Sequence, residues 1–154
     1  MDEQLLKICS NNMKVLSFNC YDLKPGQEML DRAFRLTDMP MIIGEYHFGT
    51  VDRGLAQSLV QVSSQQERGT AYRYYTENAF AHPGMIGTAW FIWNDQDLLG
   101  RWDGENFNCG LVDVTDRPYK YLVESIMETS KSLYSVHSEE KLPFDQIPLT
   151  AHGY

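Results

Sequence analysis

No segment of this sequence is rich in lysine or arginine. Its 13 basic residues face 21 acidic ones, for a formal net charge of -8. A partner built of phosphates needs clustered cations, so nucleic acid and anionic membrane surfaces are excluded as expected partners. No apolar run approaches the ~20 residues that cross a bilayer, and no basic stretch leads into an apolar one as in a signal peptide. Cysteine is scarce: Cys9, Cys20 and Cys109 are odd in number and lack metal-ligand spacing, so they read as free, buried thiols. His82, His137 and His152 are likewise too scattered for a zinc site, and neither metal nor cofactor is expected. Internal repeats and low-complexity segments are also absent.

What is present is an alternation. Residues 3–11 read as a short helix with Leu5, Leu6 and Ile8 apolar. Residues 13–21 form a β-type run ended by Asp22 and the Lys24, Pro25, Gly26 turn. Pro25 suits a first helical turn, and Met29, Leu30, Ala33, Phe34 and Leu36 then keep helical spacing to Asp38. A second strand, residues 40–48, is continuously apolar up to Gly44, the pattern of a strand buried on both faces. After a loop, Ser64 and Glu67 predict a capping box opening a helix that carries Ala71, Tyr74, Tyr75 and Ala79 on one side. Residues 85–93 form a third strand, 94–108 a polar loop and 111–114 a short β-like excursion. Pro118 then opens a last helix with Leu122, Val123, Ile126 and Met127 in register. The chain divides into an α/β unit over 1–135 and an irregular tail over 136–154.

Strands alternating with helices imply a parallel sheet, either a small open doubly wound one or part of an eight-stranded barrel. In both, functional groups gather at the carboxyl ends of the strands. The first strand ends in Asn19 and Tyr21, the second in Glu45 and His47, the third in Trp90, Trp93, Asn94, Asp95 and Gln96. Glu45 follows a buried apolar run, where an ionised carboxylate is costly without partners. It is either a functional carboxylate or a loop group paired with Arg53 or Arg101. Trp90 and Trp93 offer flat apolar faces on which pyranose rings stack, or fill the wall of the sheet. Around Arg101, an Arg101–Asp103 or Arg101–Glu105 pair either braces the loop or lines a sugar subsite, and His47 either lines the cleft or is an inert loop residue.

The motif PMIIGEYHFG from Pro40 to Gly49, followed by Asp52, Arg53 and Gly54, resembles the seventh strand of clan-A retaining glycoside hydrolases, most nearly the family-50 β-agarases and β-galactosidase-like enzymes. SFNCY (17–21), GTAWF (87–91), GRWDGEN (100–106) and GLVDVTDRPY (110–119) are similar to further segments of that pattern. The resemblance implies the C-terminal portion of a (β/α)8 barrel, about strands six to eight with their helices. It implies that Glu45 is the catalytic nucleophile, Tyr21 the aromatic that orients it, and Trp90 the floor of the reacting sugar's subsite. Those agarases carry histidine before that tryptophan, where this chain has Ala89. Substrate contacts are expected from Trp90, Trp93, His47, Asn19, Asp95, Gln96, Arg101 and Glu105. The implied partners are an oligo- or polysaccharide and either the missing N-terminal half of the barrel or further copies of the chain. The general acid/base of strand four lies outside this chain, so inactivity in isolation is expected. Full-length relatives are expected to be secreted or periplasmic.

Overall fold

The structure is a computed structural model that describes residues 2–151; His152 falls outside them. Among the described residues four helices and three strands alternate: α1 (Glu3–Asn12), β1 (Leu16–Asn19), α2 (Gln27–Thr37), β2 (Met41–Tyr46), α3 (Gln65–Phe80), β3 (Met85–Trp90) and α4 (Lys120–His137). The strands form one parallel sheet in the order β1-β2-β3.

Helix boundaries follow the local chemistry. The Asp2 carboxylate accepts from the Leu5 amide and starts α1, and Ser64 Oγ accepts from the Glu67 amide at 3.2 Å and starts α3. Only this half of the expected capping box forms, because the Glu67 carboxylate instead accepts from the Leu149 amide. Pro25 lies outside α2, whose cap is Gly26, and Asp38 ends that helix in the left-handed conformation. The strands are shorter than the apolar runs, since pairing stops where the chain turns into the loops that follow them.

Paired residues share a face of the sheet. Leu16, Met41 and Met85 pair across it and are buried, as is Ile43 beside Phe18 and Thr88. This face meets Leu30 and Ala33 of α2 and Ala71, Tyr75 and Ala79 of α3 in a single core. The opposite face carries Ser17, Ile42, Gly87 and Ala89 and is uncovered. A doubly wound sheet has helices on both faces; here the core occupies one. Helix α3 is buried around most of its circumference, between the sheet, α4 and the tail. In α4, Leu122, Thr129, Ser132 and Val136 are buried, while Met127, expected inside, is exposed.

The tail is irregular but fixed. The Phe144 amide donates to Glu77, Asn78 donates to the Phe144 carbonyl, and the Arg73 guanidinium sits 4.2 Å from the Phe144 ring. Thr150 closes the tail by bridging to Val62. All three cysteines are free, as expected, but only Cys109 is fully buried.

Candidate active site at the carboxyl edge of the sheet

The site begins with a bulge. Phe18 pairs with Ile43, but Asn19 pairs with Glu45, so β2 carries one residue more than β1. The same extra residue appears against β3, where Ile43 faces Thr88 and Tyr46 faces Trp90. Strict alternation would send Glu45 to the helix side with Ile43; the bulge re-aims it to the open face with Asn19 and returns Tyr46 to the core. Glycine at 44 makes room for this. A Cβ there would lie 2.8 Å from Ser17 Oγ and 3.1 Å from Asn19 Oδ1.

Glu45 is half-buried, and one of its oxygens is held twice. Asn19 Nδ2 donates to Oε2 at 2.7 Å and the Tyr21 hydroxyl donates to it at 2.9 Å. Oε1 takes no hydrogen bond from the described residues. Burial, and then the adjacent Glu45 carboxylate, raises the Tyr21 hydroxyl above its ordinary range, so it stays a donor. Neither arginine weighed as a partner pairs with Glu45: Arg53 lies by Asp52 and over the Tyr119 ring, and Arg101 pairs with Asp103 and Glu105.

His47, expected to line a cleft, is 1 % exposed and does not reach the surface. Its Nε2 accepts from the Leu59 amide at 3.2 Å, which fixes the neutral tautomer with hydrogen on Nδ1, a nitrogen without a partner among the described residues. Its ring meets the edges of Tyr21 at 4.9 Å and Phe91 at 5.4 Å, tying the Glu45 cradle to the neighbouring loops. Burial, reinforced by the charge of Arg68, lowers His47 from 6.5 to about 4. Between those values the unfolded chain binds a proton that the folded chain refuses. This component of stability is complete above pH 6.5 and is lost as pH falls toward 4, by about 1.4 kcal/mol per unit. Asp52 and Asp113, both lowered from 3.8, act only below that window. Urea titrations from pH 7 to 4.5 should show wild type losing stability faster than His47→Gln, whose amide oxygen can accept from Leu59 without titrating. Parallel pH curves would remove His47 from this role.

Trp90 is turned toward the helices. It pairs with Tyr46 and shares its face, its ring lies 5.3 Å from Tyr46 and 5.9 Å from Tyr72, and its Nε1 donates to the Cys109 carbonyl at 2.7 Å. The β3 residue on the Glu45 side is Ala89. Trp93 is 65 % exposed, and Phe91 lies between His47 and Arg101.

Asp95 and Gln96 are buried and occupied. Asp95 accepts from the Gly110 amide at 2.7 Å, from Asn108 at 2.9 Å and from the Tyr119 hydroxyl. Gln96 donates to Glu105 at 2.8 Å and accepts from the Phe107 amide at 2.7 Å. They hold the 94–108 loop. Burial, followed by Asp95, pushes the Cys109 thiol up to about 12, far from a reactive thiolate.

The largest unanticipated feature is Arg68, which has no exposed surface. It donates to the Phe48 carbonyl at 2.8 Å, Gln65 Oε1 at 3.0 Å and the Gly110 carbonyl at 2.6 Å. Gln65 Nε2 in turn lies within 2.7 Å of Asn108 Oδ1 and 2.8 Å of Thr50 Oγ1. One cation thus joins the chain after β2, the first turn of α3 and the loop after β3.

No protein-family model matches the chain. Among curated proteins, it is 37 % identical over 135 residues to β-agarase B of Vibrio sp. (strain JT0107), covering 85 % of this chain and 14 % of that protein. It is 41 % identical over 99 residues to β-agarase A of the same strain, covering 63 % and 10 %. Among solved structures, an exo-β-agarase superposes with a TM-score of 0.84 at 34 % identity, covering 89 % of this chain and 19 % of that one. The agarase AgWH50C gives 0.84 at 33 %, covering 89 % and 21 %. Faecalibacterium prausnitzii β-glucuronidase, at 18 % identity and 0.60, shares the fold. The chain spans about a seventh and a tenth of the lengths of the two curated relatives. Over most of its length, then, this protein is a homologue of the family-50 β-agarases, matching one segment of those longer enzymes.

Proposed function

We propose that the chain supplies the nucleophile half of a retaining glycoside hydrolase acting on a β-linked, agarose-like galactan, as the C-terminal strands of a (β/α)8 barrel. The observation that carries this reading is the Glu45 carboxylate, aimed by a bulge to the open face of the sheet, with Oε2 fixed by Asn19 and Tyr21 and Oε1 taking no hydrogen bond from the described residues. In retaining hydrolysis Oε1 attacks the anomeric carbon as the glycosidic C–O bond breaks. A second carboxyl group ~5–5.5 Å away protonates the departing oxygen, then takes a proton from the water that releases the sugar. The two hydrogen bonds to Oε2 set the direction of the carboxylate before substrate arrives.

The second carboxyl group comes from outside this chain in the reading proposed. Asp95 is buried and fully bonded, and Glu105 is engaged by Gln96 and Arg101. The sheet edges at β1 and β3 and the uncovered face would receive the remaining strands, so the chain alone binds sugar without cleaving it. With Trp90 facing the helices, Phe91 and Trp93 supply the sugar-facing aromatic surface and Trp90 braces the strand behind them. Joining this chain to the N-terminal barrel portion of a family-50 β-agarase should give hydrolysis whose first product keeps the β configuration by NMR. A first-formed α product would contradict the retaining mechanism.

A further inference from the structure

The turn 101–105 is held at every corner. The Arg101 amide donates to the Glu105 carbonyl at 2.8 Å, the Gly104 amide to the Arg101 carbonyl at 2.9 Å, and the Glu105 amide to Asp103 at 3.2 Å. Gly100 and Gly104 take φ of 86° and 87°, which closes the turn. The Arg101 guanidinium bridges Asp103 and Glu105. Projecting from this braced turn is Trp102, 94 % exposed, with no aromatic or cationic neighbour among the described residues. The backbone that carries the indole is thus ordered in advance of any partner, and the ring itself stands open to solvent, where a flat ligand can reach it.

We propose that Trp102 is a second sugar platform, stacking one ring of a neutral galactan oligosaccharide that extends away from Glu45. This rests on the glycoside-hydrolase reading and adds a binding position to it. A continuous series of contacts links the two points. Tyr21 bonds Glu45, its ring meets His47, His47 meets Phe91, and Phe91 lies 5.8 Å below the Arg101 guanidinium at the base of the turn. The flat indole face suits the C–H face of a pyranose, and the Arg101 donors not used by Asp103 and Glu105 suit its hydroxyls. Charge points to the same class of ligand: the one cation of the turn is already paired with two carboxylates, and the chain carries -8 overall, so a polyanion is disfavoured.

The isolated chain contains three tryptophans, so an amide–indole NMR spectrum resolves three side-chain signals, assignable by substitution. Titration with neoagarohexaose should shift the Trp102 indole saturably. Trp102→Ala should weaken binding roughly tenfold or more and Trp102→Phe by less, with all other signals in place. A titration in which Trp102→Ala binds like wild type, or in which no indole moves at millimolar sugar, overturns the proposal. So does a Trp102→Ala variant whose only change is reduced self-association in sedimentation, which would make the turn a protein contact. Shifts confined to Asn19, Tyr21 and Trp93 would leave the Glu45 reading standing and remove the platform. Shifts at Trp102 in a chain whose completed barrel is inert would do the reverse.

Discussion

Glu45→Ala, placed in a completed barrel, should lower kcat by roughly 10⁵-fold, equivalent to about 7 kcal/mol of transition-state stabilisation, while the fold survives. The size follows from what is removed: the atom that would bond to the anomeric carbon, leaving only the aromatic surface and the cradle. The survival follows from position. Glu45 lies on the uncovered face of the sheet, and its partners Asn19 and Tyr21 are themselves half-exposed or exposed, so water can satisfy them after the change. Because the substitution also leaves a hole beside the sugar, azide should restore part of the activity and yield a glycosyl azide of inverted configuration. Wild-type-like turnover in Glu45→Ala would exclude residue 45 as nucleophile.

Arg68→Met should destabilise the protein by about 3–5 kcal/mol, because it strands the buried carbonyls of Phe48 and Gly110 and the Gln65 amide oxygen without their donor. Arg68→Lys should recover little, since one ammonium cannot reach three acceptors spread around a planar fork. Burial lowers the Arg68 pKa, which measures the same desolvation that its carbonyl partners offset. Urea unfolding checks the magnitude. An unfolding free energy within about 1 kcal/mol of wild type would mean that the three segments joined by Arg68 hold together without it.

The sequence showed much of this arrangement and concealed specific parts. The β-α alternation was legible because a parallel sheet needs a crossover between its strands. The apolar run before Gly44 predicted a strand buried on both faces, whereas Ile42 lies half-buried on the uncovered one, so only Met41 and Ile43 of that run enter the core. Glu45 stood out because polar chemistry begins abruptly at that point. The bulge was illegible: its only trace is Gly44, and a one-residue offset in pairing depends on Phe18, Asn19 and Thr88, which are remote in sequence. That offset also decided Trp90, whose side follows from its partner Tyr46 and not from the run that contains it. Asp95 and Gln96 looked available for substrate because sequence reveals a side chain's capacity to bond and conceals which bonds are already made. Arg68 was hidden for a related reason. The Gln, Gln, Glu, Arg string at the start of α3 looks like a solvated first turn, and only the return of the 94–110 loop and the tail encloses it.

The central claim is that an oxygen of Glu45 bonds to the sugar. An activated 2-deoxy-2-fluoro-β-galactoside, incubated with the completed barrel and followed by peptide mass spectrometry, reads that bond directly. The account predicts one added fluoroglycosyl group on the peptide containing Glu45, formed as activity disappears. An adduct on any other residue of an active enzyme would contradict it.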